Sequence, residues 1–281
     1  MNPLISICIP AYRAEKYLLE TLESIGSQSF QDWEIIVTED GSSDRTEAIV
    51  EEFAKSVSQT VRYTRHDPNR GLPETRNAGF AHAKGEWLAI VDADDLWTAN
   101  HLSSLVATQK ASNADIVFSS CDIFESATGE VTETRGCTPD YAADPGPPLF
   151  LGKLVIQPST VLFNRNLVAK VGGFSKDFPI CNDLEFWLRL YTTRAVFAHT
   201  GQTSCLYRKH PDAMSTKTAE LIAEVGKIRS HYKGQAGIGV KESRNAAAVA
   251  YFNAFRISRK NNPRQSGIWL LKSISTKLGI T

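Results

Sequence analysis

The fold is decided by the stretch LISICIPAYRAEKYLLETLESIGSQSFQDWEIIVTEDGSSD, residues 4–44, in which apolar runs alternate with a helical pattern. Leu4–Pro10 and Trp33–Val37 are short apolar runs rich in β-branched residues, which is typical of buried strands. Between them, Leu18, Leu22 and Ile25 recur at helical spacing with charged residues in between. This stretch therefore predicts a strand, a helix and a second strand.

The same alternation continues as far as residue 95. Residues 42–44 (Ser-Ser-Asp) offer N-cap side chains for a helix that extends to about Lys55. Val61–Thr64 predicts a third strand, a further helix begins at Pro73, and Trp87–Val91 predicts a fourth strand. Strands that alternate with such helices favour an α/β fold with a Rossmann-like, doubly wound and mostly parallel sheet.

Polar residues follow three of the predicted strands. They occupy Pro10-Ala11-Tyr12, Glu39-Asp40-Gly41-Ser42 and Asp92-Ala93-Asp94-Asp95. Ligands of open α/β sheets bind at the carboxyl ends of the strands, near a switch in strand order. The sequence therefore predicts a ligand site formed by these three segments.

The middle of the chain is less regular. Its apolar runs predict strands at Asp115–Ser119, Cys121–Glu125, Val155–Phe163, Val196–His199 and Cys205–Tyr207, and a helix at Asn182–Tyr191. Pro139–Pro148 is rich in Pro, Gly and Asp, which predicts a mobile loop over one face of the sheet. After His210-Pro211 the pattern is helical and basic to the end, with a break at Asn262-Pro263.

The composition excludes several classes of protein. Of the 281 residues, 42% are apolar and 22% are charged, so the chain is not largely disordered. The five cysteines include no C-x-x-C pair, which argues against a disulfide framework or a zinc ribbon and indicates a reducing compartment. No apolar run approaches the ~20 residues of a membrane-spanning helix, and the N-terminus lacks the basic region of a signal peptide. We therefore expect a cytoplasmic protein.

The charges are distributed unevenly along the chain. The whole chain has 31 basic and 31 acidic residues, whereas residues 208–281 contain 14 basic and only 4 acidic ones. An acidic body is therefore followed by a basic tail, to which anionic partners are expected to bind. Nucleic acid is not expected among them, because the tail lacks regularly interleaved aromatic residues and the body is acidic.

The segment Asp92-Ala93-Asp94 has the most informative chemistry. At the end of a strand, residues i and i+2 point the same way, so the two carboxylates converge. Converging carboxylates are hard oxygen ligands that suit Mg²⁺ or Mn²⁺ when the cation also binds phosphate oxygens. The alternative is a solvated acidic turn, because two Asp residues at this spacing occur easily by chance.

Residues 4–44 and the segment NRGLPETRNAGFAHAKGEWLAIVDADDLW (69–97) resemble family 2 glycosyltransferases in the order and spacing of these blocks. A weaker resemblance continues through VLFNRNLVAKVGGF (161–174), NDLEFWLRL (182–190) and LYRKHPDAMS (206–215). The resemblance implies a GT-A fold, a nucleotide-sugar donor (a UDP-sugar above all), Mn²⁺ or Mg²⁺, and an inverting transfer to a hydroxyl. The acceptor would be a glycan or a lipid-linked glycan in cell-surface polysaccharide biosynthesis.

The resemblance also divides the chain. It implies a GT-A domain at 1–215, with a nucleotide-sugar-binding half at 1–98 and an acceptor-binding half at 99–215. A basic helical C-terminal extension would follow at 216–281.

Roles in donor binding are implied for several residues. Pro10-Ala11-Tyr12 would line the base and ribose, and Asp40 would accept the N3–H of uracil, unless Asp40 is only a turn or N-cap carboxylate. Arg76 would lie near the diphosphate, or else form a surface salt bridge. Asp92 would reach the ribose or a metal-bound water.

Metal binding is implied for two residues. Asp94 would ligate the metal directly, and His210 would complete the metal shell, unless it is an exposed histidine in a loop. Asp95 would cap the following helix rather than bind metal.

Asp183 is the implied catalytic base. A positioned carboxylate can take the proton of an acceptor hydroxyl as the oxygen attacks the anomeric carbon. The alternatives are that Asp183 only stabilises a helix N-terminus, or that Glu185 is the base. Asn182 stands where the family usually has Glu, which is expected to change the acceptor or the pKa of the base.

The end of the chain predicts an amphipathic helix. Its apolar residues recur at spacings of three and four, with two lysines beside them and a tryptophan near the start: Ile268, Leu271, Ile274 and Leu278, then Lys272, Lys277 and Trp269. A basic amphipathic helix with a Trp is typical of binding to an anionic membrane surface, here the inner face of the plasma membrane. The alternative is that the apolar face packs on the catalytic domain.

Two other functions are compatible with the sequence. Asn182 is consistent with a catalytically inactive homologue that only binds a nucleotide sugar. A similar sheet also serves nucleotidyltransferases, which normally have a Gly-rich phosphate loop after the first strand, whereas Pro10–Lys16 contains no glycine.

Overall fold

A computed structural model describes residues 2–213 and 218–280 of the chain. The strands are β1 Ile5–Ala11, β2 Trp33–Glu39, β3 Val61–Arg65, β4 Trp87–Ile90, β5 Leu96–Trp97, β6 Ile116–Glu125, β7 Val131–Arg135, β8 Val161–Asn164 and β9 Phe197–Lys209. The helices are α1 Leu18–Gly26, α2 Thr46–Ala54, α3 Leu72–His82, α4 His101–Ser112, α5 Pro139–Ala143, α6 Gly146–Leu151, α7 Asn166–Val171, α8 Asn182–Thr192, α9 Thr218–His231, α10 Val240–Ser258 and α11 Pro263–Leu278.

The strands form one mixed sheet in the order β3-β2-β1-β4-β8-β6-β9-β5, with β7 paired to β6. The first four strands run parallel, with β1 between β2 and β4. β8 runs antiparallel to β4 and β6, and β9 is parallel to β6. The expected α/β fold is therefore confirmed. Because the strand order reverses between β1 and β4, their carboxyl ends flank the crevice where such folds bind ligands.

The central strands β1, β2 and β4 are buried on both faces, which explains why they are almost continuously apolar. On β1, Ile7 faces one hydrophobic core, in which Leu22 of α1 is fully buried. Its neighbour Cys8 faces the second core, where Phe163 of β8 and Trp187 of α8 pack edge to face with ring centroids 6.1 Å apart. The alternation of side chains along one strand thus serves two cores.

The prediction of a mobile loop at Pro139–Pro148 is wrong, because short helices α5 and α6 occupy most of this segment. The side chain of Thr138 accepts a hydrogen bond from the Tyr141 amide (3.3 Å) and caps α5. In both helices, proline lies in the first turn, where its missing N–H costs nothing. The prolines that indicate a loop in the sequence therefore begin helices.

Three strand predictions change in detail. The two strands expected at Val196–His199 and Cys205–Tyr207 are one strand, β9, which runs from Phe197 to Lys209. The strand expected at Val155–Phe163 begins only at Val161, because a 3₁₀ turn at Pro158–Thr160 precedes it. Proline has no N–H to donate to a sheet, so it delays the strand. The two strands expected at 115–119 and 121–125 are one strand, β6, whose pairing with β9 shifts register between Phe118 and Cys121.

The basic end of the chain forms three helices, α9, α10 and α11, as the pattern predicts. The break at Asn262-Pro263 starts α11, where the Asn262 side chain accepts a hydrogen bond from the Gln265 amide (3.2 Å). Among the residues that the structure describes, no helix has the length and hydropathy needed to cross a bilayer.

Helix α11 packs with its small polar residues inward. Ser266, Ser273 and Thr276 are buried with Trp269, and the Ser273 hydroxyl donates to the Ala248 carbonyl of α10 (2.8 Å). The opposite side carries an apolar stripe, which we define as Ile268, Leu271, Ile274 and Leu278, exposed by 48, 69, 50 and 65%. The alternative in which this face packs on the catalytic domain is therefore wrong. Trp269, near the start of the helix, belongs to the buried face.

A buried histidine is expected to make the fold sensitive to acid. His101 is fully buried, stacks on Trp97 (4.4 Å) and contacts the Ser204 hydroxyl at 2.8 Å. Burial lowers its pKa to about 3, against ~6.5 in an unfolded chain. Between these values the unfolded chain binds one more proton. The free energy of unfolding should therefore fall by about 1.4 kcal/mol per pH unit below pH ~6.5 from this residue alone.

Urea denaturation between pH 7 and pH 4.5 tests this expectation. In His101→Gln the free energy of unfolding should fall less steeply with pH than in the wild type, because no proton can bind at this position. His82→Gln, which changes an exposed histidine at the end of α3, should keep the wild-type slope. Equal slopes in the wild type and His101→Gln would contradict the assignment.

Candidate active site

The ends of the central strands and the start of α8 converge on one crevice. The segments after β1, β2 and β4 supply Tyr12, Asp40 and Asp92–Asp95, as the sequence predicts. His210 follows the end of β9 and lies beside Asp94, which is where the family resemblance places it. The start of α8 joins the group through a buried arginine, Arg76 of α3.

Asp40 anchors the loop that follows β3. Its carboxylate accepts hydrogen bonds from the amides of Arg70 and Gly71 (both 2.8 Å) and contacts His66 Nδ1 at 2.9 Å. Burial raises the pKa of Asp40, but these hydrogen bonds outweigh it and hold the pKa below its ordinary value. Asp40 therefore stays ionised at neutral pH, and it acts as a turn carboxylate in this structure.

Gly41 is required for the close approach of this loop. It has a φ of 78°, and a Cβ at this position would lie 2.8 Å from the Asn69 amide nitrogen. Its own amide donates to Glu39, whose buried carboxylate also accepts from the Ser42 amide (2.6 Å). Glu39 therefore accepts the hydrogen bonds of the turn itself, whereas Asp40 accepts those of the loop that follows β3.

Of Pro10, Ala11 and Tyr12 at the end of β1, only Tyr12 is open to a ligand. Pro10 and Ala11 lie within β1 and are buried, so they form the floor of the crevice. Tyr12 is 50% exposed, and the Arg13 guanidinium lies 5.2 Å from the centre of its ring. An exposed ring at this edge can stack on a planar ligand group.

Arg76 joins the two sides of the crevice. Its guanidinium donates to Asp92 Oδ1 and to Asn182 Oδ1, each at 2.6 Å, and lies 5.1 Å from the Phe174 ring centre. Arg76 is only 3% exposed, so the alternative of a surface salt bridge is wrong. Asn182 is completely buried, and its amide oxygen serves this arginine.

Asp94 and His210 are in direct contact. His210 Nε2 lies 2.9 Å from Asp94 Oδ2, and the histidine side chain is 8% exposed. The alternative of an exposed loop histidine is therefore wrong. Burial and the nearby Asp92 carboxylate raise the pKa of Asp94. Within residues 2–213 and 218–280, His210 Nδ1 is buried and has no hydrogen-bond partner.

Asp95 and Arg208 hold this pair in place. Asp95 is buried and accepts from the Ser159 hydroxyl (2.5 Å) and the Arg208 amide (3.0 Å), so the prediction that it caps a helix is wrong. The Arg208 guanidinium donates to the Asp94 carbonyl (2.8 Å) and to Glu20 (2.7 Å). These residues support the site but do not face its opening.

Sequence reasoning missed Arg208 and Ser159. Arg208 also lies between the rings of Tyr17 and Phe124, with centroid distances of 4.6 and 4.8 Å. The one available signal was that Arg208 stands two residues before His210, so both side chains leave the strand end on the same side.

Asp183 lies in the first turn of α8, partly exposed. Burial raises its pKa, while the Arg76 guanidinium lowers it. Glu185, the alternative base, is 3% exposed, pairs with Arg189 (2.9 Å) and accepts from the Tyr232 hydroxyl (2.8 Å). A buried carboxylate with these partners cannot reach a substrate, so Glu185 is not the base.

The pair of Asp94 and His210 fits a divalent cation that is shared with a ligand. Carboxylate oxygen and imidazole nitrogen are donors that Mn²⁺ accepts. In the described parts of the chain, no group of three or more His, Cys, Asp or Glu side chains is arranged to hold a metal by itself. Two protein ligands leave most of an octahedral shell to phosphate oxygens and water, which is typical of Mg²⁺ sites that act on phosphates.

Solved structures share this fold. S. aureus TarS (residues 1–349), crystallised with UDP-GlcNAc, superimposes with a TM-score of 0.69 at 17% identity, over 99% of this chain and 81% of that chain. The mannosyltransferase PcManGT from Pyrobaculum calidifontis, in complex with GDP-Man and Mn²⁺, gives a TM-score of 0.65 at 15% identity, over 99% and 88%. These likenesses show that the chain has the GT-A fold.

Sequence comparison gives the family. The sequence model described as glycosyl transferase family 2 matches residues 6–172, more than half of the chain, so the chain belongs to this family. GlyG of Streptococcus pneumoniae is 33% identical over 129 residues, which are 46% of this chain and 42% of GlyG. The Escherichia coli UDP-Glc:α-D-GlcNAc-diphosphoundecaprenol β-1,3-glucosyltransferase WfgD is 29% identical over 216 residues, 76% of this chain and 80% of WfgD.

Proposed function

We propose that the protein transfers a sugar from a UDP-sugar to a hydroxyl of a lipid-linked or free glycan, with inversion and with Mn²⁺ or Mg²⁺, in polysaccharide biosynthesis. One observation carries the proposal. The Arg76 guanidinium donates hydrogen bonds to both Asp92 and Asn182. This bridge joins the segment of the candidate base, Asp183, to the segment of the candidate metal ligand, Asp94. The relatives support it, because the name of WfgD states a UDP-Glc donor and a diphosphoundecaprenol-linked acceptor. We propose that 1–98 bind the donor, that 99–215 bind the acceptor and that 216–281 follow as a basic helical region; the boundary at 215/216 lies outside the described residues.

The donor lies along the carboxyl ends of β1, β2 and β4. The base and ribose rest on Pro10 and Ala11 and stack against the exposed ring of Tyr12. Asp40 is ionised, and a carboxylate has about four acceptor sites, so besides its partners in the loop it can accept the N3–H of uracil, a group that cytosine lacks. Asp92 would reach the ribose or a metal-bound water. Arg76 orients Asp92 and contributes positive charge near the diphosphate.

Asp183 removes the proton from the attacking hydroxyl. The acceptor oxygen forms a bond to the anomeric carbon, the bond from that carbon to the diphosphate oxygen breaks, and UDP leaves with the electron pair. A positioned base contributes about 10²–10⁴-fold to such a step. Asp183 must be ionised to act, so activity should fall as the pH drops through its raised pKa.

Asp94 and His210 would hold the cation, which supplies positive charge against the departing diphosphate. The Arg208 guanidinium donates to the main-chain carbonyl of Asp94 and so holds that residue in place. The Asp95 carboxylate accepts a hydrogen bond from the Arg208 amide. The protein thus sets the direction of the Asp94 carboxylate before any ligand arrives.

The products distinguish this function from the alternatives. A glycosyl transfer releases UDP from UDP-glucose or another UDP-sugar, whereas a nucleotidyl transfer releases pyrophosphate. ³¹P NMR of the protein with Mg²⁺, a panel of UDP-sugars and a lipid extract as acceptor separates them. We expect UDP and no pyrophosphate. Tight donor binding with neither product would favour the inactive, donor-binding homologue.

We also propose that the apolar stripe on α11 binds an anionic membrane surface, on the cytoplasmic side. Four exposed apolar side chains lie along one side of a 16-residue helix, opposite the side that packs on α10. The tail that carries the stripe has 14 basic and 4 acidic residues from 208 to 281. Apolar area and basic charge together suit attachment to anionic lipid, where a lipid-linked acceptor would be found.

Leu271→Asp combined with Leu278→Asp should weaken binding to phosphatidylglycerol vesicles by roughly tenfold or more. Each leucine that the membrane buries contributes roughly 1.5–3 kcal/mol, and the double variant loses both contributions. Vesicle co-sedimentation measures this. Val131→Asp, which changes an apolar residue on β7 that is 48% exposed, should leave binding unchanged. Wild-type binding that persists in the double variant, or a stripe-dependent dimer without vesicle binding, would contradict the proposal.

A further inference from the structure

A carboxylate on helix α9 accepts hydrogen bonds from the main chain at the start of α8. Glu224 Oε1 accepts hydrogen bonds from the amides of Ile180 (2.9 Å) and Cys181 (2.6 Å). These two residues directly precede Asn182, the first residue of α8. Amides at a helix N-terminus need partners from elsewhere, and a carboxylate is the partner that the helix dipole favours.

Two further contacts from α9 reach the same segment. The Cys181 thiol lies 3.6 Å from the Leu221 carbonyl, and Tyr232, just after α9, donates its hydroxyl to Glu185 (2.8 Å). The segment 180–185 is thus held before and after Asp183. Because Ile228 and Tyr232 are also buried in the core that contains Trp187, α9 is packed against α8 rather than appended to it.

Asp183 has charged neighbours of both signs. Arg76 of α3 lowers its pKa and Asp92 after β4 raises it, and the charge of Asp183 in turn raises the pKa of Glu224 of α9. On its own segment, the charge of Asp183 adds to burial in raising the pKa of the Cys181 thiol. Burial raises the pKa of Glu224, while the two amides oppose this shift.

We propose that Glu224 is a positioning residue for Asp183: it fixes the start of α8 through two amides and places a negative charge beside the base. The inference rests on the proposed role of Asp183. The amide contacts set the position of the Asp183 carboxylate, and the charge opposes its ionisation. Glu224 therefore acts on the reaction without touching a substrate.

Two variants separate position from charge. Glu224→Gln keeps an acceptor oxygen for the amides and removes the charge, whereas Glu224→Ala removes both. Glu220→Gln removes an exposed carboxylate from the same helix and serves as the control. The readouts are amide hydrogen exchange at residues 180–185, a ¹³C carboxyl titration of Asp183 (assigned with Asp183→Asn), and kcat and the Kd of UDP.

In Glu224→Gln, we expect the titration midpoint of Asp183 to move to lower pH, with exchange and kcat near those of the wild type. In Glu224→Ala, we expect faster exchange and a kcat roughly ten- to a hundredfold lower, because small misplacements of a base are costly, with the Kd of UDP unchanged. Glu220→Gln should behave as the wild type.

An unmoved Asp183 titration in Glu224→Gln, or unchanged exchange in Glu224→Ala, would overturn the inference. A parallel loss of kcat and UDP binding in Glu224→Ala would overturn it too, since it would indicate a general structural role. Retention of turnover in Asp183→Asn would instead overturn the proposed function, and the exchange and titration results would still decide the role of Glu224.

Discussion

Asp183→Asn is expected to lower kcat by about 10²–10⁴-fold, the usual contribution of a general base. The amide cannot take a proton from the acceptor hydroxyl. Because Asp183 does not take part in the bridge between Asp92, Arg76 and Asn182, the donor side should remain intact. The Kd of UDP should therefore change by less than about threefold, which calorimetry and steady-state kinetics can measure together.

Asp177→Asn is the matched control, because Asp177 is exposed and lies in the loop before α8. It should keep wild-type kcat. If Asp183→Asn keeps its turnover as well, Asp183 is not the base. A large loss of UDP affinity in Asp183→Asn would place this residue on the donor side instead.

Asp94→Asn is expected to abolish metal-dependent binding of UDP and, with it, turnover. His210 would remain as a lone protein ligand, since its Nε2 pairs with Asp94 in the wild type. A neutral amide is a weaker ligand for a hard cation than a carboxylate. The EPR signal of free Mn²⁺, followed as UDP is added, measures the loss directly.

Asp140→Asn, which removes an exposed carboxylate on α5, should bind Mn²⁺ and UDP as the wild type does. The stability of Asp94→Asn should not fall greatly, because Asp95 and the Asp94 carbonyl, not the Asp94 carboxylate, hold Arg208. Unchanged Mn²⁺ uptake in Asp94→Asn would contradict the assigned metal site.

The alternating half of the fold could be predicted from the sequence because each strand there is a local apolar run. The strands that begin at residues 5, 33, 61 and 87 follow this rule. The D-x-D segment falls at the end of the fourth of them, as predicted. The failures are of another kind. Pro139 and Pro158 are turn signals by composition, yet one begins a helix and the other a 3₁₀ turn, because proline also suits the first turn of a helix.

The candidate site was predictable where its residues follow strands and not where distant segments meet. Tyr12, Asp40 and Asp92 lie where the strand pattern places them. The contacts of Arg76 with Asn182 and of Arg208 with Asp94 join residues 106 and 114 positions apart, and no local pattern indicates them. For α11, periodicity identifies two faces but not which one meets α10, and the structure shows that the face with Trp269 is the buried one.

The central claim is a metal-dependent site for a nucleoside diphosphate. Calorimetric titration of UDP, dTDP, GDP and CDP into the wild-type protein, each with Mn²⁺ and again with EDTA, tests it most directly. We predict that UDP or dTDP binds tightest, since both bases carry the imide N–H that Asp40 can accept, and that EDTA removes the binding. Failure of all four diphosphates to bind in a metal-dependent manner would contradict the proposed mechanism.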